Sequence, residues 1–329
     1  MTGAAVLFGA LETPFGDTEA TLAALRFGAN AFHRHPVFIG QDGRPLKAGF
    51  NPARAQASDL ARRLHALLVP PLHAALDAAR DFSPEPPLLL LALPACLRAL
   101  PRQHRLFAEL MQREALPPVR AVEIVTGDHA AALRVLPRAF ELLAQGHGVL
   151  WAAVDSLVAP VLQDLDGLQG ARIFDPANPY APVPSEAACV FLLSAPGTEF
   201  GPDAFMRIGM PAFACEPFAP KDPSRPPLGK GLEEAAKAAW RAPGSPERIV
   251  SDLNGERFRA EEYGVLARSL WTRAASLPVC PAVLLGETGT ASPLLGLSCA
   301  ISEGPGGSLL LQSDRSGERA AMAFQCIVS

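Results

Sequence analysis

The sequence predicts an α/β fold built from two similar halves, with helices layered against sheets. Three observations carry this. Short apolar runs alternate with amphipathic segments along the chain, which implies a mostly parallel sheet covered by helices. The alternation runs twice, so the halves are placed at residues 1–158 and 159–329. Each half also holds a strand that turns directly into an Ala- or Leu-rich helix, VTGDHAAAL at 125–133 and LGETGTASPLLGL at 285–297. Helices that apolar are buried on all sides. The expected order of layers is therefore α-β-α-β-α, two stacked sheets with the two apolar helices between them.

The elements follow in order. A strand is expected over 6–11, then the turn TPFG, then a helix over 18–32. Residues 59–80 space their apolar side chains as a helix does. The continuous apolar run 87–93 suits a strand covered on both faces. A helix over 103–114, a strand over 119–125, the first apolar helix and a buried strand over 148–154 complete the half. Pro137 falls inside the apolar helix and should kink or break it. In the second half, strands are expected over 188–193, 205–211, 248–252 and 281–285, and helices over 231–241, 260–272 and 293–301. A closing hairpin is expected over 308–312 and 321–327.

Composition agrees. A chain of 329 residues that is 49% hydrophobic and 19% charged buries a sizeable core. Its 33 Pro are about twice ordinary usage. They fall between the periodic segments and read as rigid loops. The net charge of −4 gives no reason to expect nucleic acid or an anionic membrane as partner. The longest apolar run, 88–97, is about half of what a membrane span needs. With no targeting signal read at the N-terminus, a cytoplasmic location is expected. The six Cys show no paired spacing and read as buried thiols in a reducing compartment. His33 and His35 form the only close His pair, read as part of a solvated loop; no metal and no cofactor is expected.

Several motifs, in order, resemble the β-ketoacyl synthases of the thiolase fold. GALETPFG at 9–16 is similar to that family's opening strand and TPxG turn. Residues 128–146 are similar to its nucleophile turn and helix. The segment GARIFDPANPYAPVPSEAACVFLL resembles the family's RPFD…GEGA run, with Arg172, Phe174, Asp175 and Glu186 in matching places. DLNGE at 252–256 stands where the family has NAHGT, and GETGTAS at 286–292 where it has GHTLGAAG.

The departures bear on function. The resemblance implies a Cys nucleophile at the helix head and two His, or a His and an Asn, that polarise a thioester carbonyl. Here the Cys position falls on His129, or on Asp128 if the turn is one residue shorter. The first His position falls on Asn254 and the second on Glu287. All seven His lie at or before His147, so no shift of register restores one in the second half. The chain is therefore expected not to run ordinary Claisen condensation.

Each of these residues also has a plain structural reading. Asp128 can cap the helix, worth about 1 kcal/mol. His129 can be a hydrogen-bonded core residue, Glu287 a dipole-favoured group at a helix head, and Asn254-Gly255 a turn pair. Glu186 reads as structural, and Ser156 as a cap. Against these stands a convergent site in which His129 and Glu287 act as general acid and base and Asn254 donates to an oxyanion.

Three functions are open at this point. The first is a pseudo-ketosynthase without nucleophile, acting by binding, as chain-length factors of the family do. Its partners would be an active ketosynthase, or a second copy of itself, and an acyl carrier protein. The second is a thiolase-like adaptor or chaperone beside bacterial secretion machinery. The third is a divergent acyltransferase using His129 and Glu287. The resemblance also implies dimerisation through the strand entering the nucleophile turn. Its residues are Val119, Arg120, Ala121, Val122, Glu123, Ile124 and Val125, and Arg120 of one chain is expected near Glu123 of the other.

Overall fold

The computed structural model describes residues 3–39, 43–52, 59–159, 173–175, 178–195, 204–218, 227–270 and 277–327. Arg172, one of the motif residues, lies outside them.

The first half opens with strand β1 (Gly3–Glu12) and helix α1 (Thr18–Arg26), with Asp17 capping α1 through the Ala20 N–H at 3.0 Å. A hairpin follows, β2 (Phe32–Ile39) and β3 (Pro45–Gly49). The long helix α2 (Leu60–Phe82) carries Pro70 and Pro71 inside it. Then come β4 (Leu88–Pro94), α3 (Pro101–Arg113), β5 (Ala121–Gly127) and the apolar helix. That helix is divided into α4 (Ala131–Arg134) and α5 (Leu136–Ala144), with Pro137 in the first turn of α5. The break falls where the sequence placed it, because proline cannot donate to the preceding turn. Strands β6 (Val149–Ser156) and β7 (Glu186–Ser194) complete this side.

The other side comprises β8 (Met206–Gly209), β9 (Ala212–Cys215), α6 (Lys230–Ala239), β10 (Arg248–Ser251), α7 (Arg257–Leu270), α8 (Ala282–Leu285), α9 (Ser292–Ile301) and the hairpin β11 (Gly306–Ser313) and β12 (Glu318–Cys326).

Among the described residues ten of the twelve strands form one sheet in the order β10-β11-β12-β8-β1-β7-β6-β4-β5, with β9 on β12, while β2 and β3 pair only with each other. Side-chain alternation shows how it is layered. Leu88, Leu90 and Ala92 of β4 face a core shared with α4, α5 and α9, and Leu310 of β11 reaches the same core from the other side. Leu89, Leu91 and Leu93 face away from it, onto α2 and α3. Leu309 and Leu311 face away onto α6 and α7. The five layers are thus present, with α4, α5 and α9 buried in the middle. The two sheets are joined through the antiparallel β1–β8 pairing rather than separate.

Four expectations are corrected. The sheet is mixed: β4–β5, β4–β6 and β10–β11 are parallel, while β1–β7, β6–β7, β11–β12 and the pairings of β8 and β9 are antiparallel. Apolar runs look alike in either direction, so composition could not separate them. Residues 281–285 form the helical turn α8, not a strand. Pro281 takes αR angles (φ −54°, ψ −34°), and Val279 supplies the bridge to Val250 instead. The predicted helix 18–32 stops at Arg26, and Gly28 at φ 66° turns the chain into β2. His33 and His35 lie in β2 rather than in a solvated loop. His33 is exposed, but His35 is buried, stacked on Phe38 at 3.8 Å between ring centroids.

The described residues of the segment that resembles the RPFD…GEGA run make contacts within the chain. Glu186 is fully buried and accepts from Arg63 Nη2 at 3.2 Å and from Ser156 Oγ at 2.9 Å. Ser156 therefore binds a buried carboxylate rather than capping a helix. The Phe174 N–H donates to the Pro182 carbonyl, and Asp175 is buried in a bridge with Asn178.

Candidate functional site: a buried ion-pair network

Four chain segments meet where β5 ends. His129 stands at the head of α4, just past β5. Asn254 and Glu256 lie on the loop between β10 and α7, and Arg259 in the first turn of α7. Glu287 follows α8, and Asp314 sits in the β11–β12 turn. The approach of Glu287 is fixed by its backbone: its N–H donates to Val183 O and its carbonyl accepts from Ser185 N, both at 2.8 Å. Gly286 makes this fit possible. It takes φ 84°, and a Cβ there would lie 2.8 Å from both Ser185 Cβ and Val183 O.

The structure brings His129, Asn254 and Glu287 together. His129 Nε2 lies 2.7 Å from Glu287 Oε1, and the Gly289 N–H donates to the same oxygen at 2.6 Å. Asn254 Nδ2 donates to Glu287 Oε2 and, at 3.1 Å, to Glu256 Oε2. Its carbonyl oxygen accepts from the Glu256 N–H at 3.0 Å. Both amide hydrogens of Asn254 thus point at carboxylates, and neither is left for an oxyanion.

Arg259 is the second centre of the network. It is 2% exposed, pairs with Asp252, donates to Glu256 at 2.8 Å and to the Ser313 carbonyl at 2.6 Å. Its Nη2 lies 3.3 and 3.4 Å from the two ring nitrogens of His129. Arg315 closes the outer side against Glu256. Sequence reasoning reached Asn254, Glu287 and the turn residues but not Arg259, Arg315 or Asp314. An Arg within an ordinary amphipathic helix carries no local sign that it is buried.

Asp128 does not take the capping role. It is exposed, while Asp314 Oδ1 from the opposite half accepts the Ala130 N–H at 2.9 Å. A carboxylate supplied across the core replaces the local one at the helix head.

Electrostatics follow from burial and pairing. Burial alone would lower the His129 pKa, but the Glu287 carboxylate outweighs it and holds the imidazole above its ordinary 6.5. Burial would raise Glu287, but protonated His129, then Arg259 and Asn254, hold it down at about 2. The two form an imidazolium–carboxylate pair. Nearby, Asp155 at the end of β6 accepts from the Thr290 and Ser156 N–H groups, yet burial pushes it up to about 7. Cys96, which feels the charges of Asp155 and Asp128, is driven far up by burial first and by those carboxylates next. It is held as a neutral thiol, the inert form. The ensemble is a closed set of mutually satisfied charges around the helix head.

Val119 to Val125 lie at the rim. β5 spans Ala121–Gly127 and ends the sheet. Val119 precedes it and packs inward. Val122 is 48% exposed and Ile124 50%, and Ala121 is exposed as well. Glu123 pairs with Arg138 at 3.1 Å, and Arg120 lies 3.0 Å from His147 and 3.6 Å from Glu85, so both charges have partners within the chain. Among the described residues no helix is long and apolar enough to cross a membrane.

No family model matches the chain, and no curated protein matches it in sequence. Solved structures match it in fold. One is described as the ishigamide ketosynthase/chain length factor, at 18% identity and TM-score 0.66, with 99% of each chain covered. Another is the ketosynthase from module 6 of the bacillaene synthase from Bacillus subtilis 168, at 12% identity and TM-score 0.72, covering 99% of this chain and 72% of that one. A third, AntDE:AntF, is described as a type II polyketide synthase acyl-carrier protein in complex with its ketosynthase bound to the hexaketide, at 12% identity and TM-score 0.72, with 99% of each chain covered. At such identities the likeness is one of fold, and the fold is the thiolase fold in its ketosynthase form.

Proposed function

We propose that this protein is a non-catalytic ketosynthase-like subunit that works by binding a partner chain in polyketide- or fatty-acid-type biosynthesis. One observation carries the reading. By the resemblance, the position of a condensing nucleophile falls on His129, or on Asp128 if the turn is one residue shorter, and the His129 side chain is held in an ion pair with Glu287 beneath Arg259. The network offers no thiol, and the His129 Nε2 and both amide hydrogens of Asn254 are directed at internal carboxylates. Two of the similar structures are described as a ketosynthase/chain length factor and as a ketosynthase in complex with an acyl-carrier protein, which supports a partner of that kind.

The test is chemical. The purified protein is incubated with malonyl and acyl thioesters, then read by intact mass and by CO₂ release. The expected outcome is no acyl adduct and no decarboxylation above background. An adduct that disappears in His129→Ala would overturn the reading and favour the divergent acyltransferase, whose supporting observation is the 2.7 Å His129–Glu287 contact.

A further inference from the structure

A cavity of about 180 Å³ lies in the middle layer, away from the ion-pair network, where α1 and the end of α9 cross β1. Its walls are apolar: Leu11 from β1, Leu22 from α1, Phe191 from β7, Phe205 just before β8, and Ile301 from α9. The two phenyl rings meet edge to face, with centroids 6.5 Å apart, and Trp151 backs Phe191 in the same way at 5.8 Å. The wall is therefore rigid.

Gly9 shapes the cavity. A glycine inside a strand marks a close approach, and here a Cβ would sit 2.8 and 2.9 Å from the Phe191 ring and 3.4 Å from Phe205. Its absence lets the aromatic pair lie down against β1 and leaves the space in front open.

Two hydroxyls border that space. Thr18 Oγ1 accepts from the Leu11 N–H at 2.9 Å, which leaves its own hydrogen to donate. Ser298 Oγ donates to the Leu294 carbonyl at 2.9 Å, which leaves its lone pairs to accept. Among the described residues no cation lines the cavity.

We infer that this cavity is a binding site for a small neutral ligand of one aromatic ring, or about six carbons, that carries a hydroxyl group. The size follows from precedent: a dry apolar cavity of about 150 Å³ takes one benzene. The hydroxyl follows from the complementary capacities of Thr18 and Ser298. Neutrality follows from the lining, because a carboxylate there would be desolvated with a single donor and no counter-charge. The inference is independent of the proposed partner binding.

Phenol is the probe and benzoate its charged counterpart, each titrated into the full chain at pH 7 and followed by ligand-observed NMR. The expected result is saturable phenol binding at one site, with benzoate at least tenfold weaker. Leu22→Trp, which fills the opening from an exposed helix, should weaken phenol at least tenfold. Ile301→Trp fills it from the other wall and serves if Leu22→Trp does not fold. Absence of saturable phenol binding, phenol binding unchanged in a folded filled variant, or equal binding of benzoate would each overturn the inference.

Discussion

At the scale of single residues, the site is decided by how charges are paired. The turns carrying His129, Asn254 and Glu287 were legible because motif order located them and the fold brings them together. Their chemistry was not legible, because it depends on Arg259 and Asp314, which approach from other segments. Titration exposes the arrangement. His129 has its pKa above the ordinary 6.5 in the fold, so its stabilisation is complete below that value and is lost as pH rises through the higher folded value. Glu287, held at about 2, contributes above its ordinary 4.5 and loses that contribution as pH falls toward about 2. His35, lowered to about 4 by burial and then by Arg63, stays neutral and costs stability as pH falls from 6.5 toward 4. Asp155 costs stability as pH rises from 3.8, and its effect levels off only above about 7. Above about pH 7 the falling limb is shared: His129 loses its proton in the fold, and Cys96, Cys189, Cys280, Cys299 and Cys326, whose thiols burial holds protonated in the fold, ionise in the unfolded chain around an ordinary value of about 8.5. The thermal midpoint should therefore decline above that pH in the wild type. In His129→Asn/Glu287→Gln, a neutral pair, the slope should become shallower by the His129 share, leaving the part that belongs to the cysteines. An unchanged slope would mean that His129 is not charged in the fold.

At the scale of elements, the periodic helices and apolar strands were legible because each buries one face or both. The errors fell where burial does not fix direction or type: parallel against antiparallel pairing, and the short run 281–285, which the αR angles of Pro281 commit to a helical turn. Two helical glycines show local propensity and packing opposing each other. Gly264 in α7 is exposed, with nothing within 4 Å of an added Cβ. Gly231 in α6 would place that Cβ 2.7 Å from Glu216 N and 2.8 Å from the Cys215 carbonyl carbon. In both, alanine gains roughly 0.5–1 kcal/mol of helix propensity. At Gly231 the clash is with backbone, which cannot swing aside, and overpacking costs about 1–3 kcal/mol. Urea denaturation should show Gly264→Ala more stable by up to about 1 kcal/mol and Gly231→Ala less stable by about 1–2 kcal/mol. Stabilisation by both would mean that α6 is not pressed onto the residues after β9.

At the scale of the whole molecule, the sheet ends on a strand that no other strand among the described residues pairs on its outer side. β5 is parallel to β4 over its full length, from Leu88–Ala121 to Pro94–Gly127, and its other edge is unpaired among the described residues. Natural sheets blunt such edges with charge, proline or bulges. Here the charges at Arg120 and Glu123 are drawn into contacts within the chain, and Val122 and Ile124 are left outward. An open edge of this kind offers pairing to a second strand, and a two-fold antiparallel pairing about β5 would continue the sheet through both chains. Val122→Lys/Ile124→Lys places charge on the edge without touching a buried side chain. Light scattering at micromolar concentration should give the wild type twice its 34.7 kDa chain mass and the variant a single chain mass, with the fold retained by circular dichroism. A wild-type monomer that is folded would confine the pairing to an unlike partner, tested by adding a ketosynthase. A dimer that persists in the double-lysine variant would remove β5 as the interface, and with it the partner geometry on which the proposed function rests.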